Sequence, residues 1–188
     1  MEIRSRPAFS LLLLIVLVAG GCSARIGDSG SDIDRATRFD GFPLYWAGQR
    51  FEKWELETID GLGGPAAFVS FIYGRCTLRD GGEPSCAPPV EIQVSPLCSH
   101  LDVVAASPIW KRRQIRGAPV GTIDSAPVLF TIGAQVKVYR GEGTDPGVPL
   151  RVLRALRSIN RVPPLVGSSG RIPAPPRAVL LGARPCRS

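Results

Sequence analysis

The chain has 188 residues, of which 44% are hydrophobic, and this proportion excludes a wholly disordered protein and suits a single folded domain. Its 21 Gly and 18 Pro residues disfavour a helical bundle and favour strands and turns. The formal net charge of +7, carried mostly by Arg, indicates either an anionic partner or a solvated basic surface. We predict an α+β fold with a small mixed or antiparallel sheet of about five strands, one C-terminal amphipathic helix and stabilising disulfides.

Residues 1–22 have the layout of an export signal. Arg4 and Arg6 lie ahead of an unbroken apolar run at residues 11–19. This run is too short to span a bilayer, which takes about 20 apolar residues, and is typical of a cleaved signal peptide. Three small residues, at positions 19–21, then stand directly before Cys22.

The sequence Ala19-Gly20-Gly21-Cys22 resembles the lipobox of bacterial lipoproteins. In that family the cysteine becomes the mature N-terminus and carries a diacylglyceryl group, so the resemblance implies that Cys22 is lipidated and that residues 1–21 are removed. Two acyl chains give stable anchoring in a bilayer, where one gives marginal binding. The resemblance therefore places the protein on the outer face of the cell membrane. Cleavage to a free secreted protein and an uncleaved anchor are the alternatives.

The mature chain divides into three parts. Residues 22–38 are polar and predict a flexible tether, residues 39–161 a single α+β domain, and residues 162–188 a Pro-, Gly- and Arg-rich tail. Within the domain, FPLYWAG, FVSFIYG and CAPPVEIQ also resemble segments of lipoproteins from high-GC Gram-positive bacteria, a resemblance that implies no activity.

Strands are predicted from apolar alternation and bounding turn residues. They cover residues 51–59, 66–73, 90–95, 128–132 and 135–140, with a further one within 115–123. Residues 97–106 predict a short helix. The clearest helix is at residues 149–160, where Pro149 suits the first helical position.

Basic residues dominate the end of the chain. After Pro146 there are eight Arg and no acidic residue. The predicted helix places four of them on the face opposite its apolar residues and makes them candidate anion-binding residues: Arg151, Arg154, Arg157 and Arg161. Anionic lipid headgroups or an acidic wall polymer would suit such a surface, and a solvated helix face with a basic tail is the alternative. Nucleic acid is not an expected partner in this compartment.

Four cysteines remain after Cys22, and export permits disulfides between them. Of the three connectivities we favour Cys76–Cys86, which closes a polar loop between two predicted strands, leaving Cys98–Cys186. A zinc site is the alternative, but the chain has no C-x-x-C motif and only one His, His100.

Catalytic motifs are weak, and no cofactor is expected. Cys98, His100 and Asp102 lie close together and resemble a nucleophile with its base, or a disulfide cysteine beside a surface His. Carboxylates that could pair as acid and base are Glu55, Glu57, Asp60 and Asp124. We therefore predict a non-catalytic envelope lipoprotein that binds a ligand or partner. The alternatives are an exported hydrolase, using paired carboxylates or the Cys98/His100 region, and a structural envelope component.

Overall fold

The computed structural model of the chain describes residues 29–63, 67–75, 87–100, 113–163, 165–167 and 169–181. In chain order the described elements are α1 (Ser29–Arg38), β1 (Tyr45–Trp46), β2 (Arg50–Phe51), β3 (Trp54–Asp60), β4 (Val69–Tyr73), β5 (Val90–Pro96), a 3-10 turn (Leu97–His100), β6 (Gln114–Ile115), β7 (Ala118–Ile123), β8 (Ala126–Phe130), β9 (Ala134–Arg140), α2 (Val148–Ala155), β10 (Arg157–Ser158) and α3 (Arg177–Leu180). No helix in these ranges combines the length and the apolar character needed to cross a bilayer.

Eight of the strands form one antiparallel sheet in the order β2-β3-β4-β5-β9-β8-β7-β6. The sheet consists of two four-stranded meanders, β2–β5 and β6–β9, which join where β5 pairs with β9 from Val90↔Arg140 to Pro96↔Ala134. The other two strands, β1 and β10, form a separate antiparallel ladder.

Two-residue turns make the first two connections of the second meander. Arg116 and Gly117 join β6 to β7, Asp124 and Ser125 join β7 to β8, and all four residues have positive φ. Positive φ at both central residues defines the type I′ turn, whose twist matches that of the flanking strands. These turns set the register of β6, β7 and β8.

The main hydrophobic core lies on one side of the sheet. Inward residues of β5 and β9, such as Ile92 and Val136, pack there with Val152 and Leu153 of α2 and with Ala36 of α1. A smaller core lies on the opposite side, and its buried members in the described part of the chain are Leu97, Val128, Phe130 and Leu180. The C-terminal segment therefore belongs to the packed structure through α3.

The α+β prediction with about five strands is wrong, because the described protein is mostly β, with eight strands in one sheet and two in another. The predicted strands at 90–95 and 135–140 are confirmed as β5 and β9, whereas those at 66–73 and 128–132 are confirmed in part, because β4 begins at Val69 and β8 runs from Ala126 to Phe130. Four observed strands have only two residues each, β1, β2, β6 and β10. Two residues are too few to show an alternating pattern in a sequence.

Other boundaries also differ from the predictions. Residues 29–38, predicted as part of a flexible tether, form α1, which packs on β3 and buries Asp32 and Ala36. The helix predicted at 149–160 is shorter, because it ends at Ala155 and residues 157–158 pair with β1 instead. Of the helix predicted at 97–106, residues 97–100 form the 3-10 turn and the rest lies outside the described residues.

Tyr73, at the end of β4, links the sheet to the loop before β2. Its fully buried hydroxyl accepts a hydrogen bond from Ala47 N and donates one to Gly48 O, both at 3.0 Å. Burial raises the pKa of Tyr73, so the group remains a neutral donor and acceptor.

Replacing Tyr73 by Phe is expected to lower the free energy of unfolding by about 2 kcal/mol, since two backbone groups lose a buried partner. Urea unfolding at neutral pH measures the change. Tyr139→Phe is the matched control, because Tyr139 is only half-buried, and it is expected to cost less than about 1 kcal/mol. Equal losses in the two variants would show that the Tyr73 hydroxyl does not stabilise the loop.

Candidate functional site

A groove of about 580 Å³ lies at one end of the sheet. Its walls come from the ends of β7, β8 and β9, from the turn after β9 and from the beginning of α2. The volume falls within the range of small-molecule sites, about 300–1,000 Å³. We treat this groove as the candidate functional site.

The apolar part of the groove follows from the alternation of the strands. Val138 on β9 points toward the main core, and Pro127 on β8 lines the groove beside it. Pro149 and Leu150, in the first turn of α2, form the opposing wall. Because Val138 and Pro149 are buried, a ligand in the groove would contact mainly Pro127 and Leu150 with its apolar part.

The polar part contains charges of both signs. Arg113, Arg140, Asp124 and Glu142 all line the groove. Arg140 Nη1 donates to Thr144 O at 3.0 Å, which fixes the guanidinium at the end of β9. Arg113 makes no ion pair with any residue that the structure describes.

Lys137 offsets the negative charge of Asp124. Lys137 Nζ lies 2.8 Å from Asp124 Oδ2 and 4.7 Å from the centroid of the Tyr139 ring. Burial lowers the pKa of Lys137, but hydrogen bonds to Asp124 and Tyr139 outweigh it, and the pKa is raised overall. The ammonium is therefore charged at neutral pH and pairs with the carboxylate at the rim of the groove.

The sheet face opposite the main core carries a second polar group of residues. Glu91 Oε1 accepts hydrogen bonds from Ser70 Oγ at 2.7 Å and from Gln93 Nε2 at 2.8 Å. The register places Glu91 beside Tyr139 and Gln93 beside Lys137. The alternation that predicted the strand at 90–95 thus places Glu91 and Gln93 on the face opposite Val90 and Ile92.

The candidate anion-binding arginines do not form one face. Arg151 pairs with Glu52 at 2.7 Å and with Asp145 at 2.8 Å, and these hydrogen bonds raise its pKa. Arg154 is exposed on α2, Arg157 lies in β10, and Arg161 lines another pocket. The single basic helix face is wrong because the helix ends at Ala155.

The predicted catalytic groups are not assembled either. Glu55 pairs with Arg50, Glu57 lies 3.7 Å from Arg75, Asp60 accepts from Thr58, and Asp124 pairs with Lys137. The first three carboxylates are on β3, in the first meander, and Asp124 is in the second. Within the described ranges, no three His, Cys, Asp or Glu side chains come together as metal ligands would.

Cys98 is disulfide-bonded, which removes the free thiol that a cysteine nucleophile needs. The cysteines at 76, 86 and 186 lie outside the described residues, so both pairings remain predictions. Cys22, Asp102 and the side chain of His100 also lie outside the described part.

Sequence reasoning missed the groove because its residues come from four separate segments. The one local signal is the basic run Lys111-Arg112-Arg113, whose last member lines the groove. Comparison of the chain with protein-family models, with characterised proteins and with solved structures gives no match.

Proposed function

We propose that the protein is a lipid-anchored, non-catalytic ligand-binding protein of the outer face of the cell membrane. The observation that carries the proposal is the lipobox-like segment, Ala19-Gly20-Gly21-Cys22, directly after an apolar run too short to span a bilayer. Acylation of Cys22 would supply the two chains that stable anchoring needs.

The groove supports ligand binding over the two alternatives. A purely structural envelope component has no need of an open groove with an apolar wall and a charged rim, and this protein has one. A hydrolase of the kinds considered above needs either a free Cys98 or two carboxylates in one cleft. Cys98 is disulfide-bonded, and of the two carboxylates that line the groove, Asp124 and Glu142, the first is held in an ion pair with Lys137.

Labelling with palmitate in the expressing cells tests the anchor. Wild-type protein is expected to incorporate the label and to begin, by mass spectrometry, at a diacylglyceryl-modified Cys22. The variant Cys22→Ala is expected to incorporate none, because the acceptor thiol is gone. Ser23→Ala, one residue further on, is the matched control and should be labelled like wild type. An unlabelled wild-type protein, or label retained in Cys22→Ala, would overturn the proposal.

A further inference from the structure

We propose that the groove binds an anionic amphiphile from the membrane in which the protein is anchored, namely a lipid with a phosphate headgroup. This inference rests on the proposed function and names the ligand class of the same site. It depends on where the groove lies relative to the start of the folded chain, and on the chemistry of its lining.

The groove and the start of the fold lie at the same end of the sheet. Leu56, Tyr73, Val90 and Arg140 form one continuous row across β3, β4, β5 and β9. The beginning of α1 lies at the Leu56 end of this row, where Gly30 lines a small pocket with Leu56. Arg140, at the other end, lines the groove. Three strand spacings of about 4.8 Å separate the two ends, or about 14 Å.

The linker between the anchor and α1 is long enough for this end of the sheet to approach the bilayer. Six residues, 23–28, separate Cys22 from α1. A fully extended chain spans at most about 3.5 Å per residue, so Ser29 lies within about 25 Å of the acylated cysteine. The groove, about 14 Å away across the sheet, is therefore within reach of the membrane surface.

The lining of the groove suits an amphiphile with a negative headgroup. The guanidinium of Arg113 is planar and can donate two parallel hydrogen bonds to phosphate oxygens. Arg113 and Arg140 line the groove together with Asp124 and Glu142, and Lys137, outside the lining, neutralises Asp124 at 2.8 Å. Beside this rim, the half-buried side chains of Pro127 and Leu150 offer an apolar wall to a hydrocarbon chain.

Calorimetric titration with lauroyl lysophosphatidic acid, below its critical micelle concentration, tests the inference. The protein is the chain from residue 22 with Cys22→Ser, which contains every described residue and carries no acyl group. We expect saturable binding of one lipid, at least about tenfold tighter than binding of lauroyl lysophosphatidylcholine or of inorganic phosphate. If lysophosphatidylcholine bound as tightly as lysophosphatidic acid, the groove would be an apolar surface only. If inorganic phosphate bound as tightly, the groove would be a site for soluble anions. Either result would overturn the inference, as would no binding.

Variants assign the binding to the groove. Arg113→Gln is expected to weaken binding of lysophosphatidic acid about tenfold, because a charge-assisted contact to the phosphate is lost. Leu150→Asn is expected to weaken the same binding, because the apolar contact to the hydrocarbon chain is lost. Arg177→Gln is the matched control, because Arg177 is exposed on α3 and does not line the groove. Thermal unfolding confirms that each variant is folded. Unchanged binding in folded Arg113→Gln contradicts the inference, and because the tested chain is not acylated, this result is independent of the palmitate experiment.

Discussion

Replacing Asn160 by Ala is expected to lower the free energy of unfolding by about 4 kcal/mol, since three backbone groups lose their partner. Asn160 is buried, with 3% of its surface exposed. Its Oδ1 accepts from Leu44 N at 2.9 Å, and its Nδ2 donates to Phe39 O at 2.9 Å and to Phe42 O at 2.8 Å. Each unsatisfied buried group costs about 1–3 kcal/mol, and backbone groups that water reaches in the variant cost least.

Urea unfolding of Asn160→Ala, with Arg161→Ala as the matched control, measures this effect. Arg161 is the next residue and is exposed, so its loss is expected to change stability by less than about 0.5 kcal/mol. Asn160→Ala should also increase the rate of hydrogen exchange of the Leu44 amide, because its hydrogen bond to Asn160 Oδ1 is lost. A loss below about 1 kcal/mol would mean that solvent replaces the side chain at no cost.

Asn160 shows why part of the fold is absent from sequence patterns. Its side chain joins segments that lie more than 110 residues apart in the chain. Asn160 lies between a short strand and Pro163, and this local sequence gives no sign that the side chain is buried. The same limit applies to β10, where Arg157 and Ser158 pair with Trp46 and Tyr45 across the chain. Such contacts depend on tertiary structure and leave no periodicity to read.

The central strands could be predicted because their pattern is local. Val90, Ile92 and Val94 alternate with polar residues, and all three are fully buried in the main core. α1 was missed for the opposite reason. Its sequence is polar, and only Ile33 and Ala36 pack on the core, so its helical stability comes from the sheet beneath it.

The sequence did not single out the arginines of the candidate site. Arg-rich composition indicated either an anionic partner or a solvated basic surface, but the Arg residues that line this groove are Arg113 and Arg140, not those of the C-terminal helix. Which arginines remain available is decided by ion pairs such as Arg151–Glu52, between residues 99 positions apart. Arg151 is occupied in this way, and Arg113 is not.

Arg116 connects three segments that lie far apart in the chain. It lies in the turn between β6 and β7, with φ of 52°. Its Nε donates to Gly170 O, and its Nη1 donates to Leu156 O and, at 3.2 Å, to Arg154 O. The last two carbonyls are at the C-terminal end of α2, where a helix leaves acceptors unsatisfied and favours a positive charge.

Replacing Arg116 by Gln is therefore expected to lower the free energy of unfolding by about 3 kcal/mol, through the loss of charge-assisted hydrogen bonds to α2 and to the C-terminal segment. Arg116→Lys keeps the positive charge but loses the planar guanidinium, so its free energy of unfolding should lie between those of wild type and Arg116→Gln. Arg116→Gly loses the same bonds but relieves the positive φ, so it should be about 1 kcal/mol more stable than Gln. Urea unfolding measures all three.

Trypsin cleavage distinguishes a clamp from a purely local effect of Arg116. The amide of Ile172 donates to Arg116 O, so the residue holds the C-terminal segment through its backbone as well as through its side chain. If the guanidinium clamps that segment, Arg116→Gln should be cut faster after Arg171 than wild type, at a denaturant concentration where both proteins remain folded. Arg113→Gln, an exposed arginine three residues away, should be cut at the wild-type rate. If Arg116→Gln were destabilised but not cut faster at Arg171, the effect of the side chain would be on α2 alone. The end of the helix would then lose its cap, while the C-terminal segment stayed packed through Ile172 and Leu180.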